Sequence, residues 1–228
     1  MNDHGRDLAA LHGATERLLI AVGKLDNAAV AAPSRLPGWS RGHILAHLSR
    51  NADALVNVLT GRPMYASAEA READIERDAD RPLETQLTDL RESEARFEET
   101  CAAPADWSRT VELRNGVMDS ASRVPFRRLV EMELHHVDLD IGYELEDLPT
   151  EFLQQEIAFL TQRFRGNATV PPVLIRQADG RSLTTGRAGD DAITVTGSQA
   201  ELVGWLAGRR PGSALTTTGG ELPVLPAL

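Results

Sequence analysis

Two pairs of side chains at helical spacing carry the chemistry that this chain could do. In Val130-Glu-Met-Glu-Leu-His-His-Val-Asp138, Glu131 and His135 stand four residues apart. On a helix that puts a carboxylate and an imidazole on one face, one turn apart, able to hold two positions of one divalent metal. Much earlier, Trp39-Ser-Arg-Gly-His43-Ile-Leu-Ala-His47 sets two histidines at the same spacing. The working hypothesis is that His47, Glu131 and His135 converge in a helical bundle. Three N/O ligands with one open position make a catalytic rather than a structural zinc site. Spacing alone leaves other readings open. His43 shares a face with His47, Glu133 and His136 form a competing i,i+3 pair, and a carboxylate–histidine pair also serves simply to stabilise a helix.

The elements that must position these groups are mostly helical. Leu8, Leu11, Leu18, Leu19, Val22 and Leu25 form one apolar stripe and predict a helix over 6–31. After the turn Pro33-Ser-Arg-Leu-Pro-Gly38, Ser40 is an N-cap candidate for a second helix that carries both early histidines and stops near Gly61-Arg-Pro63. The stretch 63–75 crosses over, partly helical, and Pro82 suits the first turn of a third helix over 83–101. Residues 111–117 read as extended around the turn pair Asn115-Gly116, and a fourth helix is expected from 121 to 143.

After Leu148-Pro149 the pattern changes. One more helix over 150–165 is followed by short β-like runs at 173–176, 182–185 and 192–196, separated by glycines and Asp190-Asp191. A last helix, Gln199–Leu206, precedes a Thr-Gly and Pro-containing tail. The expected fold class is therefore α+β, a helical domain over 1–149 followed by a smaller mixed α/β domain over 150–228.

Composition narrows the function classes. Hydrophobic residues make up 42% of the 228 residues, enough for an ordinary core. The net charge is −10 with no Lys/Arg-rich run, which argues against nucleic acid as a partner, because phosphate neutralisation needs a basic face. An anionic substrate would need local arginines. Cys101 is the single cysteine, so no intrachain disulfide forms. No apolar run approaches the roughly 20 residues of a spanning helix, and the start is polar. A cytoplasmic protein with no membrane partner is expected, with a monomer as the default.

The residues also resemble a known family. Gly38-Trp39-Ser-Arg-Gly-His-Ile-Leu-Ala-His47-Leu, with Asn51-Ala52 behind it, is similar to the signature of the DinB-like metal-binding four-helix bundles. Within these the chain resembles the mycothiol-dependent maleylpyruvate isomerases. The likeness continues through Pro63-Met-Tyr-Ala-Ser-Ala-Glu-Ala-Arg71, Glu131-x-x-x-His135-x-Val137-Asp138-Leu139, Val195-x-Gly197-Ser198, Ala207-Gly208-Arg209 and Thr217-Thr218-Gly219, covering nearly the whole chain. The resemblance implies a DinB-like four-helix bundle with a smaller C-terminal domain, zinc ligands at His47, Glu131 and His135, and an activity-linked arginine at Arg209. Arg210 beside it departs from the small residues common there.

The implied chemistry suits these residue types. Isomerising a cis double bond conjugated to a carbonyl requires temporary loss of its double-bond character. A thiolate adds to the alkene, the bond rotates, and the thiolate leaves. Free thiol has a pKa of about 8.5, and zinc coordination deprotonates it; zinc can instead polarise the carbonyl as a Lewis acid. Cys101 lies on a predicted apolar helix face, so mycothiol, a low-molecular-weight thiol cofactor, would supply the sulfur. The dicarboxylate substrate would pair with Arg209 and Arg71, with Tyr65 as a further hydrogen-bond donor. Two other readings share the zinc site: a mycothiol S-transferase acting on electrophiles, and a non-catalytic metal-binding stress protein.

Overall fold

The structure, a computed structural model, describes residues 3–189 and 191–226. Asp190, one of the expected separators, lies outside the described residues. Two compact units result, Met1–Tyr143 and Glu144–Leu228.

Four long helices build the first unit: α1 (Asp3–Val22), α3 (Arg41–Leu59), α5 (Leu83–Ala102) and α6 (Val124–Asp138). They pack as α3 on α5, α1 on α6, α3 on α6 and α1 on α5, a four-helix bundle. Leu11 and Leu18 from α1, Ile44 and Leu48 from α3, Phe97 from α5 and Leu129 from α6 fill its core. Burying such side chains contributes roughly 1.5–3 kcal/mol each, which is what sets the bundle.

The single helix expected over 6–31 is two. α1 ends at Val22, and a short α2 (Asn27–Ala31) starts afresh. Asp26 is the reason: its Oδ1 accepts from the Ala29 N–H at 2.8 Å, a local cap that competes with helix continuation. Asn27 then accepts from the Leu83 N–H at 2.8 Å, so the break also caps the start of α5. The helix expected over 121–143 is shorter. A 3-10 turn over Ala121–Arg123 leads into α6, and the chain leaves helical geometry at Asp140 (φ 55°) and Gly142 (φ 91°).

The crossover holds α4 (Ala68–Ala79), capped by Ser67. It lies close against α3 because Gly42 has no side chain. A Cβ there would stand 2.1 Å from the Ala79 carbonyl oxygen. Gln86 Nε2 donates to the Asp78 and Ala79 carbonyls at 2.8 and 3.1 Å, closing the end of α4. Gly42→Ala is therefore expected to cost about 1–3 kcal/mol as an overpacking substitution. Thermal denaturation would show a Tm lower by about 2–4 °C per kcal/mol. An unchanged Tm would mean that α4 is not held by this contact.

Strands β1 (Thr110–Glu112) and β2 (Met118–Ser120) pair antiparallel, with Asn115 and Gly116 at φ 60° and 72° in the connection. This is the extended segment expected around the Asn-Gly pair.

The second unit opens with a 3-10 turn over Leu145–Asp147 that packs on α8 (Gln199–Leu206). Leu145 and Leu148 are buried, and Arg210 pairs with Glu146. These contacts place the division at Tyr143/Glu144, just before the change of pattern at Leu148-Pro149. α7 (Thr150–Phe164) packs on α8. Strands β3 (Val173–Arg176), β4 (Ser182–Thr185), β5 (Ile193–Thr196) and β6 (Thr216–Thr218) form one sheet in the order β4-β3-β5-β6. β3 and β5 run parallel, and the other pairs antiparallel. The last strand was not anticipated: three threonines beside two glycines are too short a run to separate from a turn. Among the described residues, no helix is long and apolar enough to cross a membrane.

Candidate metal centre

The cluster is assembled where the start of α3 meets the end of α6. Arg41, the first residue of α3, donates to the Leu139, Asp140 and Ala29 carbonyls at 2.6, 3.0 and 3.0 Å. It thereby satisfies carbonyls that a helix end leaves unpaired. With these ends tied, His47, in the second turn of α3, and His135, in the last turn of α6, face each other with ring centroids 4.8 Å apart.

His47 Nε2 and His135 Nε2 lie 3.0 and 3.1 Å from the same oxygen, Glu131 Oε2. The ligand atoms of the three residues all fall within 4.8 Å of one another. Donors around a tetrahedral zinc stand roughly 3.4 Å apart, given zinc–ligand distances of about 2.0–2.2 Å. The donor set fits such an ion, and the two separations from Glu131 Oε2 lie within about 0.4 Å of that spacing. The His47 side chain is 6% exposed and that of Glu131 32%, so the cluster is walled on the His47 side and open beyond the carboxylate.

The surroundings set the charges. Burial lowers the His47 pKa to about 4, against the opposing pull of Glu131, so this imidazole is neutral at pH 7. Burial pushes Glu131 upward, but hydrogen bonds from His135 and His47 prevail and hold it well below the usual carboxylate range. Burial likewise opposes charge on His135, yet hydrogen bonds to Asp138 and Glu131 raise its pKa. Asp138 Oδ2 lies 2.9 Å from His135 Nδ1. An Nδ1–H given to this carboxylate leaves the Nε2 lone pair for a metal, the usual outer arrangement of a metal-binding histidine.

Arg71, on α4, donates from Nη2 to His47 Nδ1 at 3.1 Å. Its guanidinium also pairs with Glu72 and sits 5.8 Å over the Tyr65 ring. Burial raises the Tyr65 pKa, with Arg71 drawing it back down. Expected substrate groups Arg71 and Tyr65 thus stand beside the three expected ligands, within one unit.

The competing residues are engaged elsewhere. His43 Nδ1 accepts from the Ser40 N–H at 3.2 Å, completing the α3 capping box, and its Nε2 meets Glu76 at 3.2 Å. Glu133 binds Arg17 at 2.5 Å and the Tyr143 hydroxyl at 2.9 Å. His136 stacks on Tyr143 with ring centroids 4.0 Å apart. In the second unit, Arg209 donates to the Ala207 carbonyl at 2.8 Å, and Arg210 is held by Glu146 and Glu201, each at 2.5 Å.

Asp138 lies outside the pairs that spacing singles out, although its i+3 position after His135 is a usable signal. A buried network lies outside them too: Arg128, fully buried on α6, donates to Asn51 Oδ1 at 3.0 Å and to Glu94 Oε2 at 2.8 Å. Nothing in the local sequence marks a buried arginine, since its partners lie on two other helices.

The family model described as the mycothiol maleylpyruvate isomerase N-terminal domain matches residues 11–140, and that described as the MDMPI C-terminal domain matches residues 147–227. No curated protein matches. A crystal structure of a mycothiol-dependent maleylpyruvate isomerase, in a histidine-to-alanine variant, is similar at a TM-score of 0.88 and 27% identity, covering 99% of this chain and 97% of that one. A second crystal structure of a mycothiol-dependent maleylpyruvate isomerase gives 0.86 at 27% identity over the same shares. With its helical and mixed parts both matched, the chain belongs to the mycothiol maleylpyruvate isomerase family.

Proposed function

We propose that this protein is a zinc- and mycothiol-dependent cis–trans isomerase that converts maleylpyruvate to fumarylpyruvate, a step of gentisate degradation. The observation that carries the metal reading is the approach of two imidazole nitrogens to one Glu131 oxygen at 3.0 and 3.1 Å. Family membership carries the reaction and the thiol.

Bound zinc would hold a thiol as thiolate or polarise a carbonyl, and the mycothiol thiolate would supply reversible addition to the alkene. The chain's own residues do the rest. His47 and Glu131 offer a neutral imidazole and a carboxylate at neutral pH. Asp138 orients His135 through Nδ1. Arg71 and Tyr65 would take a substrate carboxylate beside the cluster, and Arg209, in the second unit, is the residue that the family's pattern links to activity. The chain supplies no nucleophilic sulfur of its own: burial pushes the Cys101 thiol up to about 12, so it stays protonated.

The reading is tested by NMR of zinc-loaded protein with maleylpyruvate. Conversion of the cis to the trans vinyl signals is expected only when mycothiol is present. Equal conversion without thiol, or none with it, would overturn the assignment.

A further inference from the structure

Arg71 occupies the one nitrogen of His47 that metal binding must change. A guanidinium only donates hydrogen bonds. At 3.1 Å from Arg71 Nη2, His47 Nδ1 is therefore the acceptor, and in a neutral ring the proton sits on Nε2. That same Nε2 points at Glu131 Oε2 from 3.0 Å, where it donates. A metal taken at Nε2 needs its lone pair, so a neutral His47 must then carry its proton on Nδ1. Two N–H groups would face each other across the Arg71–His47 contact.

Resting on the proposed metal site, we infer that metal at His47 and the Arg71–His47 hydrogen bond exclude each other, so that loading the site releases Arg71 to bind an anion. The release is local. Arg71 is 9% exposed, and its remaining partners are Glu72, which pairs with Nη1, and Tyr65, through both its ring and its hydroxyl. Turned away from Nδ1, Nη2 has lost its His47 acceptor, and a carboxylate is the ligand that satisfies it best. The zinc-free protein, by contrast, keeps this donor occupied by His47. Metal and dicarboxylate binding are then coupled, each strengthening the other by the same factor. The arrangement favours loading in a fixed order, zinc before anion.

The test uses the full chain labelled with ¹⁵N-histidine at neutral pH, with His47 assigned by comparison with His47→Gln. Long-range proton–nitrogen couplings are expected to place the His47 proton on Nε2 without zinc and on Nδ1 with one equivalent of zinc. Binding of maleate, a cis dicarboxylate, supplies the second readout. Arg71→Met is expected to weaken maleate binding on the order of tenfold in zinc-loaded protein, and to leave the zinc-free protein unchanged. A proton on Nδ1 in both states overturns the inference, as does the same Arg71 dependence with and without zinc. Histidine signals that do not move on adding zinc would remove the metal reading itself. Signals that move with the proton in the wrong place would remove this inference alone.

Discussion

Glu131→Gln protein is expected to purify with little or no zinc and to lose more than 10³-fold in isomerase activity. The carboxylate is the shared partner of both histidines, and its Oε2 meets each Nε2 near 3 Å. Changes to groups that merely orient ligands cost about 10–100-fold in metal affinity or activity, so loss of an anionic ligand should exceed that range. His47→Ala should behave alike, because it too removes one of three donors. Metal analysis by mass spectrometry reads occupancy, and turnover reads activity. Full zinc content in both variants would dismiss this ligand set. A pH dependence follows from His135, whose raised pKa means that zinc displaces a proton from it. Apparent zinc affinity therefore falls as pH drops through that pKa, by about tenfold per unit for one proton, and levels off above it. Zinc should also raise the Tm of the wild type, since only the folded chain presents the site.

Arg209→Lys is expected to lower kcat/KM on the order of 10²-fold with zinc content unchanged. The substitution keeps the charge but loses the planar fork that grips a carboxylate bidentately. Its motive is the resemblance, which implies the family's activity-linked arginine at this residue. Arg210 is the internal control. It is held between Glu146 and Glu201 and is 25% exposed at the side chain. Arg210→Ala should keep activity near wild type and cost about 1 kcal/mol of stability, the upper end for partly exposed pairs. An active Arg209→Lys together with an inactive Arg210→Ala would shift the assignment by one residue. If both variants are active, the dianion is held by other groups.

The legible parts of this chain were those written in local pattern. The apolar stripes of α3 and α5, the Asn115-Gly116 turn and the span of α8 all follow from spacing and caps. The helix break at Asp26 was missed because one side-chain oxygen capping Ala29 outweighs an apolar stripe that continues through Leu25. At the site, spacing named the pairs but could not choose between His43 and His47. His43 is taken by the capping box, which depends on the rotamers of Ser40 and His43. Arg41 and Gly42 decide how α3 meets α6 and α4, yet neither carries a local signal, because what they do depends on carbonyls supplied by distant segments.

The separation of the proposed ligands along the chain has a consequence for how the protein is made. His47 and Glu131 are 84 residues apart, with a helical crossover, a long helix and a hairpin between them. During synthesis His47 emerges long before its partners, and an isolated imidazole is a weak trap for any ion. The ligand set exists only after α6 has been translated and has closed against α3, a contact of high sequence separation and so a late one. A metal held by these three residues would thereby be chosen by a nearly finished bundle, whose tied helix ends impose the geometry on the ion rather than the reverse. A ribosome that stalls before Glu131 releases a chain with no such centre to fill.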